Sequence, residues 1–328
     1  MQGRRRSGRP CTSSRGDPMK IVISEFMDED AVAALRARFT TRYEPTLVDR
    51  RAELLPLLAG ASALIVRNRT VVDVALLEAA PGLRVVGRLG VGLDNIDVPA
   101  CAERGITVIP ATGANAGAVA EYVLGTAMAL LRLAYTRSAE TAAGQWPRAA
   151  LSSGREIAGK TLGLIGFGGI GQLTARLAQG LGVHVIAHDP MIDDTASVWQ
   201  ASGVAATALS KLLGQSDIVS LHVPLTAQTR NLIDATALAR MKPGALLINS
   251  ARGGIVDEVA LAAALRSGHL GGAAIDVYDQ EPLVAGTGFA GLSNLILTPH
   301  IAGVTLESNI RVSALIAERV AAQLQTPS

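Results

Sequence analysis

The amino-acid sequence predicts an α/β protein built on parallel β-sheets, and three observations support that prediction. Short apolar runs of strand length alternate with helical stretches along most of the chain, which is typical of parallel sheets. The 328 residues are enough for two domains, each with its own hydrophobic core. One glycine-rich stretch, Thr161 to Gly171, has the spacing of a phosphate-binding loop between a strand and a helix.

The first α/β unit is predicted over residues 19–116. Its apolar runs alternate with stretches whose apolar residues repeat at helical spacing, as in the helix that starts at Asp28. Pro56 counts against a regular second helix, because proline inside a helix removes a backbone hydrogen bond. The predicted strands are Ile21–Ser24, Ala63–Arg67, Leu83–Leu89 and Ile106–Ile109, and the predicted helices are Asp28–Phe39, Arg51–Leu58 and Val72–Ala80.

A long helix is predicted over residues 117–134. It is apolar on almost every side, which predicts burial on most of its faces. Two interpretations remain open. The helix is either a crossover between two domains that also forms part of a subunit interface, which predicts a homodimer, or an ordinary core helix.

The alternation of strands and helices resumes at Thr161. The last predicted helix, Leu306–Gln325, has no strand after it, so we expect it to return and pack on the first unit. The other predicted strands are Thr161–Ile165, Val183–His188, Ile218–Leu221, Ala245–Asn249, Ala273–Val277 and Leu295–Leu297, and the other predicted helices lie near Leu209–Leu213, Ala235–Arg240 and Val259–Arg266.

The glycine-rich stretch has the spacing G-x-G-x-x-G. Gly166 permits a tight turn out of the strand, Gly168 allows a pyrophosphate to approach the backbone, and Gly171 allows the following helix to pack on the sheet. The N-terminus of that helix offers N–H groups and a positive dipole end to phosphate. The stretch therefore predicts a dinucleotide-binding loop.

An acidic residue follows the second strand of this unit. Asp189 comes eighteen residues after Gly171, where a carboxylate accepts hydrogen bonds from ribose hydroxyls. The alternative is that Asp189 only begins a turn with Pro190. Asp193 and Asp194 add negative charge, which would repel a 2′-phosphate. The sequence therefore predicts NAD rather than NADP as the cofactor.

The composition predicts a soluble, cytoplasmic protein with no membrane or nucleic-acid partner. Hydrophobic residues make up 49% of the chain, but no apolar run is long enough to span a bilayer. Cys11 and Cys101 give no disulfide framework, which fits a reducing compartment. Residues 1–18, with five arginines and one acid, are expected to be disordered or, as an alternative, a targeting segment. Without this head the net charge changes from +2 to −2, which does not indicate a nucleic-acid binder.

Three segments place a polar side chain near the end of a strand, where open parallel sheets bind ligands. Arg252 in INSARGGIVDE carries a planar fork that suits a carboxylate, although a surface arginine capping a turn is equally compatible. In AIDVYDQEPL, Asp276 is predicted inside an apolar strand, where a carboxylate needs a partner, and Glu281 is either functional or only a loop acid. His300 in LTPHIAG can exchange protons near neutral pH.

Four other histidines compete with His300 for that role. His222 is the strongest rival, because it also ends a strand and stands beside Val223 and Pro224, where the cofactor is expected to pass. The remaining rivals are His184, His188 and His269.

Together these motifs resemble those of the D-isomer-specific 2-hydroxyacid dehydrogenase family. The resemblance extends from Ile21 to about Gln325 and rests on GRLGVGLDNID, AVAEYVLG, GFGGIG, SLHVPLT, INSARGGIVDE and TPHIAG. It implies two Rossmann-like doubly wound parallel-sheet domains with a cleft between them. One is a discontinuous, flavodoxin-like substrate domain of residues 19–116 and 303–328, and the other is an inserted NAD-binding domain of residues 117–302.

The resemblance implies an NAD-dependent oxidoreductase that transfers a hydride between NAD and a small 2-hydroxyacid or 2-oxoacid. It assigns the substrate carboxylate and 2-oxygen to Arg252, the proton of the 2-hydroxyl to His300, and the orientation of that histidine to Glu281. No metal is implied. The implied cofactor contacts are Val91, Gly166, Gly168, Gly169, Ile170, Asp189, Val223, Pro224, Thr229, Ser250, Ala251, Arg252, Asp276, His300 and Gly303.

The substrate is expected to carry a second anion. Arg67 in LIVRNRT and Arg88 in GRLG match basic positions of phosphoglycerate dehydrogenases, which the chain resembles most, while 3-sulfolactate dehydrogenases come second. Arg69 is a third candidate, and at least one of the three is expected to be a surface charge. The alternatives are a glyoxylate or hydroxypyruvate reductase and a non-catalytic, NAD-sensing corepressor-like protein. The implied substrate contacts are Arg67, Arg88, Gly90, Val91, Arg252 and His300.

Overall fold

The computed structural model describes residues 20–133 and 136–326. These residues divide into two compact units. The first unit contains the residues up to Ala111 together with those from Val312 onward, and the second contains Thr112–Arg311. The disorder predicted for residues 1–18 lies outside the described residues.

Five parallel strands form the sheet of the first unit, in the spatial order β2-β1-β3-β4-β5, which is the flavodoxin-like order. Helices cover both faces of such a sheet, so its central strands are apolar and buried. The strands are β1 (Lys20–Ile23), β2 (Thr40–Tyr43), β3 (Ala63–Val66), β4 (Val85–Arg88) and β5 (Thr107–Pro110), and the helices are α1 (Glu29–Arg36), α2 (Arg51–Leu58), α3 (Val74–Glu78) and α4 (Val98–Glu103).

The edge strand β2 is not among the predicted strands. Its sequence is TTRY, and its residues alternate between exposed and half-buried positions. A polar strand at a sheet edge has no apolar run that would reveal it, and charge at an edge also discourages pairing with other chains. The helix predicted as far as Phe39 ends at Arg36, because the chain turns there toward β2.

The last helix, α13 (Leu306–Gln325), belongs to the first unit from Val312 onward. The Asp28 amide donates a hydrogen bond to Ser313 Oγ at 3.0 Å. A Cβ atom added to Gly87 on β4 would lie 2.8 Å from side-chain methyl carbons of both Ile316 and Val320. The glycine therefore allows the helix to pack directly on the sheet.

Seven parallel strands form the sheet of the second unit, in the order β12-β11-β10-β9-β6-β7-β8. The strands are β6 (Thr161–Ile165), β7 (His184–His188), β8 (Ala205–Ala206), β9 (Ile218–Leu221), β10 (Leu246–Asn249), β11 (Gly272–Ile275) and β12 (Leu295–Leu297). The helices are α5 (Ala116–Arg132), α6 (Ser138–Ala142), α7 (Arg148–Leu151), α8 (Gly169–Gly180), α9 (Ser197–Ser202), α10 (Leu209–Gln215), α11 (Ala235–Arg240) and α12 (Glu258–Arg266).

The strand order of this second sheet reverses at β6, which lies between β7 and β9. Ligands of such sheets bind beyond the carboxyl ends of the strands at the point of reversal. Two details differ from the prediction. The two-residue strand β8 was missed, because two exposed alanines give no strand signal, and β11 ends at Ile275. Asp276 consequently follows the strand instead of lying inside it.

The helix α5 is buried on most of its faces, as its composition predicts. Eight of its 17 residues are buried, and four of these belong to a hydrophobic core of the second unit, namely Val123, Leu124, Ala127 and Leu131. Only Glu121, Gly125, Met128 and Arg132 are exposed, and at their spacing they form one stripe, so the predicted burial on most faces is confirmed. None of the helices in the described part of the chain is both long and apolar enough to cross a membrane.

The contact between Gly87 and α13 predicts a stability effect. We expect Gly87→Ala to destabilise the protein by about 1–3 kcal/mol, because the new methyl group would press on two stiff β-branched side chains. Urea unfolding measures the change. Gly60→Ala is the matched control, since a Cβ atom there has no neighbour within 4 Å. Equal stability of the two variants would contradict the packing argument.

Candidate active site

The glycine-rich loop has the geometry that its spacing predicts. Gly166 has a φ of +94°, and a Cβ atom there would lie 2.5 Å from the carbonyl oxygen of His222. A Cβ atom on Gly171 would lie 2.4 Å from the carbonyl oxygen of Gly166. Gly168 and Gly169, at the start of α8, face open space instead. Two glycines are thus required by packing, and the other two leave room for a ligand at the helix N-terminus.

Asp189 follows β7 and its carboxylate accepts two backbone hydrogen bonds. Oδ2 accepts from the Phe167 amide at 2.8 Å, and Oδ1 accepts from the Met191 amide at 3.0 Å. The first bond ties Asp189 to the glycine-rich loop, and the second forms the turn that was the alternative interpretation. The turn is therefore present in the structure, and the ribose contact of Asp189 stays a prediction.

A cavity of about 440 Å³ lies beside Asp189. Asp193 and Asp194 also line it, and its lining contains no lysine or arginine. Trp199 closes one side, where its ring stacks on Phe167 with the centroids 4.8 Å apart. The cavity is acidic and suits an adenosine whose ribose hydroxyls donate hydrogen bonds.

Two residues after the later strands also belong to this region. The buried Ser250 hydroxyl has no hydrogen-bond partner within the described residues, so a group of a bound ligand can satisfy it. Val223 lies close to the glycine-rich loop, since its Cγ1 atom is 2.9 Å from the position of a Cβ on Gly166. Together with the open loop and the acidic cavity, these features fit a dinucleotide along the carboxyl ends of β6, β7 and β10.

The segment from Pro224 to Thr229 is held by its own hydrogen bonds. Thr229 Oγ1 donates to the carbonyl oxygen of Pro224 at 2.6 Å. At the other end of this unit, Gly303 packs against Asn115, whose Nδ2 atom would lie 2.5 Å from an added Cβ. The segment from Pro224 to Thr229 shows by itself no contact that requires a ligand, whereas the buried Oδ1 atom of Asn115 has no hydrogen-bond partner within the described residues.

His300 and Glu281 form a hydrogen-bonded pair. The Nδ1 atom of His300 lies 2.7 Å from Oε2 of Glu281, and both side chains are partly exposed. The other carboxylate oxygen of Glu281 accepts from the Tyr278 amide at 3.1 Å. Because Glu281 occupies Nδ1, the Nε2 atom of the ring is left for proton exchange.

The loop that carries His300 is anchored by Asp276. The buried Asp276 carboxylate accepts from the Ile301 and Ala302 amides at 2.8 Å each and from Thr298 Oγ1 at 2.6 Å. The His300 amide donates to the Asp276 carbonyl oxygen at 2.8 Å. His300 has a φ of +56°, a left-handed conformation that a non-glycine residue adopts only when its surroundings impose it. Asp276 thus has the partners that a buried carboxylate needs.

Arg252 lies on a turn that packs against the Glu281 segment. Asn249 holds this turn, accepting from the Ala251 amide at 3.1 Å and donating to the Arg252 carbonyl oxygen at 3.0 Å. A Cβ atom on Gly253 would lie 1.8 Å from the carbonyl oxygen of Tyr278. The guanidinium of Arg252 is half-buried, and its Nη1 donates to the Ala251 carbonyl oxygen at 2.6 Å. The three predicted catalytic segments therefore meet within the second unit.

The rival histidines have other partners. His222 Nε2 lies 3.1 Å from Ser220 Oγ, and desolvation of the ring lowers its pKa to about 4. A histidine with that pKa stays neutral near pH 7 and is a poor proton donor. His188 and His269 each contact a backbone carbonyl oxygen through one ring nitrogen, and His184 is exposed.

The predicted substrate arginines lie in the first unit. Arg67 is half-buried, its guanidinium carbon lies 5.9 Å from the centroid of the Phe26 ring, and burial lowers its pKa while Glu25 opposes that shift. Arg88 donates from Nη1 to the Leu89 carbonyl oxygen at 3.1 Å. A Cβ atom on Gly90 would lie 1.5 Å from that nitrogen, so a larger residue at this position would displace the Arg88 guanidinium.

Arg69 forms an ion pair with Asp49 on the surface. This pairing fits the expectation that one of the three arginines is a surface charge. Among the described residues, no cluster of three or more metal-binding side chains occurs.

Several residues that build this region were missed from the sequence. Asn249, Tyr278 and Thr298 position the predicted side chains through backbone and side-chain hydrogen bonds. The only available signal was their place directly after a strand, because their partners are mostly backbone atoms that carry no sequence signature.

Comparisons with known proteins agree with this geometry. Residues 124–302 match the model of the D-isomer specific 2-hydroxyacid dehydrogenase family, NAD binding domain. A protein of Chromohalobacter salexigens named (S)-sulfolactate dehydrogenase is 57% identical over 92% of this chain and 96% of its own length. A Mycobacterium leprae protein named D-3-phosphoglycerate dehydrogenase is 41% identical over 92% of this chain, which spans only 56% of that protein. The crystal structure of the TT0316 protein from Thermus thermophilus superposes with a TM-score of 0.84 at 35% identity, over 94% of this chain and 97% of that one.

The fold and the site indicate the class of nicotinamide-dependent dehydrogenases. The indicators are the doubly wound α/β sheet, the glycine-rich loop and the histidine–glutamate pair. The chain belongs to the D-isomer specific 2-hydroxyacid dehydrogenase family, and its cofactor is NAD. It is an oxidoreductase that acts on the CH–OH group of 2-hydroxyacids. The predicted family, fold class and cofactor are thereby confirmed.

The lowered pKa of His222 predicts an acid-sensitive stability. The unfolded chain protonates this histidine below about pH 6.5, whereas the folded chain keeps it neutral down to about pH 4. The unfolded state therefore binds more protons in this window, and stability falls as the pH falls through it. Between pH 7 and pH 5, we expect the free energy of unfolding to fall by about 2 kcal/mol less in His222→Gln than in the unmodified chain.

Urea unfolding at the two pH values tests this expectation. His184→Gln is the control, because His184 is an exposed histidine of the same unit. The argument fails if the pH dependence of unfolding is the same in the unmodified chain and in His222→Gln.

Proposed function

We propose that the chain oxidises a 2-hydroxyacid that carries a second anion on C3, and that (S)-3-sulfolactate is its preferred substrate ahead of D-3-phosphoglycerate. The His300–Glu281 pair at 2.7 Å is the observation that supports the chemistry. The sequence alone placed phosphoglycerate first. We reverse that order because the 57% identical relative, of which the chain spans 96%, is named (S)-sulfolactate dehydrogenase.

The two candidate substrates have the same handedness at C2. Sulfur outranks the carboxyl carbon when the stereodescriptor is assigned, whereas the CH₂–O–P carbon of phosphoglycerate does not. The (S) descriptor of sulfolactate and the D descriptor of phosphoglycerate therefore describe the same spatial arrangement of hydroxyl, carboxylate and anionic arm. One active site can present the same face of either acid to the cofactor, so the choice between them depends on the second anion.

In the proposed mechanism His300 is the general acid and base. During oxidation its Nε2 atom takes the proton of the 2-hydroxyl while the C2 hydride leaves, and in reduction it returns that proton to the 2-oxygen. Glu281 holds Nδ1, which fixes the ring orientation and stabilises the imidazolium formed. NAD held at the glycine-rich loop and Asp189 would supply the hydride acceptor for oxidation and, as NADH, the hydride donor for reduction.

Arg252 is proposed to hold the substrate carboxylate and the 2-oxygen. Its guanidinium fork matches a carboxylate in two parallel hydrogen bonds, and such a clamp fixes the reacting carbon. The turn that carries it is packed on the Tyr278 backbone through Gly253, which supports a defined position for the side chain. Arg67 and Arg88 are proposed to bind the second anion, with Gly90 and Val91 shaping the loop beside Arg88.

The proposed contacts of NAD follow the carboxyl ends of the strands. The open loop at Gly168 to Ile170 suits the pyrophosphate, Asp189 the ribose, and the Ser250 hydroxyl a polar group near Ala251. The three carboxylates that line the cavity support NAD over NADP, because a 2′-phosphate would add about two negative charges beside them.

We also propose that the chain forms a homodimer and works in the cytoplasm, where NAD is available. The helices α6 and α7 have no buried residue, and Trp146 between them is 79% exposed. Together with the exposed Met128 on α5, this surface supports a contact with a second copy of the chain. Light scattering that gives the mass of one chain, 33.9 kDa, would contradict the dimer.

A substrate panel tests the proposed reaction. With NAD, we expect NADH formation from (S)-3-sulfolactate with a kcat/KM about 10–100-fold above that for D-lactate, because lactate lacks the charge-assisted bonds to the second anion. D-3-Phosphoglycerate should be slower than sulfolactate, and NADP should replace NAD poorly. The (R) enantiomer of sulfolactate is the matched control.

If no acid gives NADH, and the matching 2-oxoacids leave NADH unchanged, the proposed reaction is wrong. Binding of NADH without turnover would then favour the non-catalytic alternative. A clear preference for D-3-phosphoglycerate would overturn only the choice of substrate.

His300 should be required for chemistry and not for cofactor binding. We expect His300→Asn to lower kcat by about 10²–10⁴-fold, because general acid–base catalysis contributes that much. Asparagine tolerates the left-handed backbone at this position, so the loop should keep its shape. Glu281→Gln should give a smaller loss. Steady-state rates measure kcat, and NADH fluorescence titration measures binding.

The exposed residue His184 provides the control, since His184→Asn should keep both properties. A His300→Asn variant that retains most of its kcat would exclude His300 as the proton carrier.

A further inference from the structure

A buried acid in the first unit has no part in the proposed mechanism. Glu25 lies just beyond β1 and is 4% exposed. Its carboxylate accepts four backbone hydrogen bonds from consecutive residues of the loop after β3. Oε1 accepts from the amides of Arg67 at 2.8 Å and Thr70 at 2.9 Å, and Oε2 accepts from those of Asn68 at 3.3 Å and Arg69 at 3.1 Å.

These four bonds determine the shape of the loop. Four successive amides can point at one carboxylate only if the backbone curls around it, so the loop has little freedom while Glu25 is in place. Two neighbours strengthen the arrangement. Ser24 Oγ lies 2.9 Å from Thr70 Oγ1, and Asn95 donates to the Thr70 carbonyl oxygen at 2.7 Å.

The same loop carries Arg67, and the residue after Glu25 contacts the Arg67 side chain. The guanidinium of Arg67 lies over the Phe26 ring, which is 49% exposed. Glu25 thus fixes the backbone of Arg67, while Phe26 offers a flat face to its guanidinium. The Arg67 side chain is thus held at its backbone and at its guanidinium, so it has lost most of its conformational freedom before any ligand binds. This lowers the entropic cost of binding.

We propose that Glu25 is a positioning residue for Arg67 and thereby sets the preference for hydroxyacids that carry a second anion, with Phe26 completing the support. Glu25 does not touch the substrate in this proposal and acts only through the loop of residues 67–70. The inference rests on the proposed function, because it takes Arg67 as the ligand of the second anion.

The preference is measured in the reductive direction, as kcat/KM for 3-sulfopyruvate divided by kcat/KM for pyruvate with NADH. In Glu25→Gln an NH₂ group replaces one acceptor oxygen and faces backbone amides, so the loop must move. We expect the ratio to fall about tenfold, with kcat/KM for pyruvate nearly unchanged, since losing a charged hydrogen-bond acceptor disturbs Arg67 by this order. Glu25→Asp keeps the charge and should give a smaller fall.

A double-mutant cycle separates positioning from a general structural role. If Glu25 acts through Arg67, then Glu25→Gln combined with Arg67→Gln should lower the ratio no further than Arg67→Gln alone. Phe26→Leu, at a half-exposed position, should also lower the ratio. Glu78→Gln is the matched control, because Glu78 is an exposed acid of the same unit.

Each outcome decides one question. If Arg67→Gln leaves the ratio unchanged, the proposed role of Arg67 in the second-anion site fails. If Arg67→Gln lowers the ratio but Glu25→Gln lowers both kcat/KM values equally, Glu25 is only structural and the inference is overturned. If Glu25→Gln does not fold, as judged by thermal melting, an unchanged ratio in Glu25→Asp overturns it instead.

Discussion

The structure depends on one interaction, in which a carboxylate near the end of a strand accepts hydrogen bonds from the backbone amides of a loop. It occurs three times with the same topology. Asp276 after β11 binds the loop that follows the neighbouring strand β12, and Asp189 after β7 binds the loop that follows β6. Glu25 after β1 binds the loop that follows β3. In each case the acid that follows one strand holds the loop that follows the neighbouring strand of the sheet.

The physical reason lies in the parallel sheet. All strands end at the same edge, and the loops there leave backbone N–H groups without ladder partners. A carboxylate near that edge can satisfy two to four such groups, and their donated hydrogen bonds offset the cost of burying its charge. A neutral side chain of the same size could not accept so many bonds. The arrangement therefore holds loops that carry side chains such as His300 in a left-handed backbone conformation.

This interaction also explains what the sequence could predict. The central strands, the glycine-rich loop and the polar segments around Arg252, Glu281 and His300 are visible because apolar runs and fixed spacings mark them. The edge strand β2 was missed because it is polar, and β8 was missed because two exposed alanines give no strand signal. The backbone partners of the Asp276 and Glu25 carboxylates could not be found, because they are amides 25 to 45 residues away along the chain.

The division of the chain into two units explains why the reaction class is easier to establish than the substrate. The family match covers residues 124–302, which lie entirely in the unit that carries Arg252, Glu281 and His300. The proton exchange and carboxylate binding proposed for these residues are the same for every 2-hydroxyacid, so they indicate the class and say little about the acid. Arg67 and Arg88 lie outside that match, on loops that Glu25 and Gly90 shape. Relatives that use one chemistry on acids with different anionic arms should therefore differ most in the loops of the first unit.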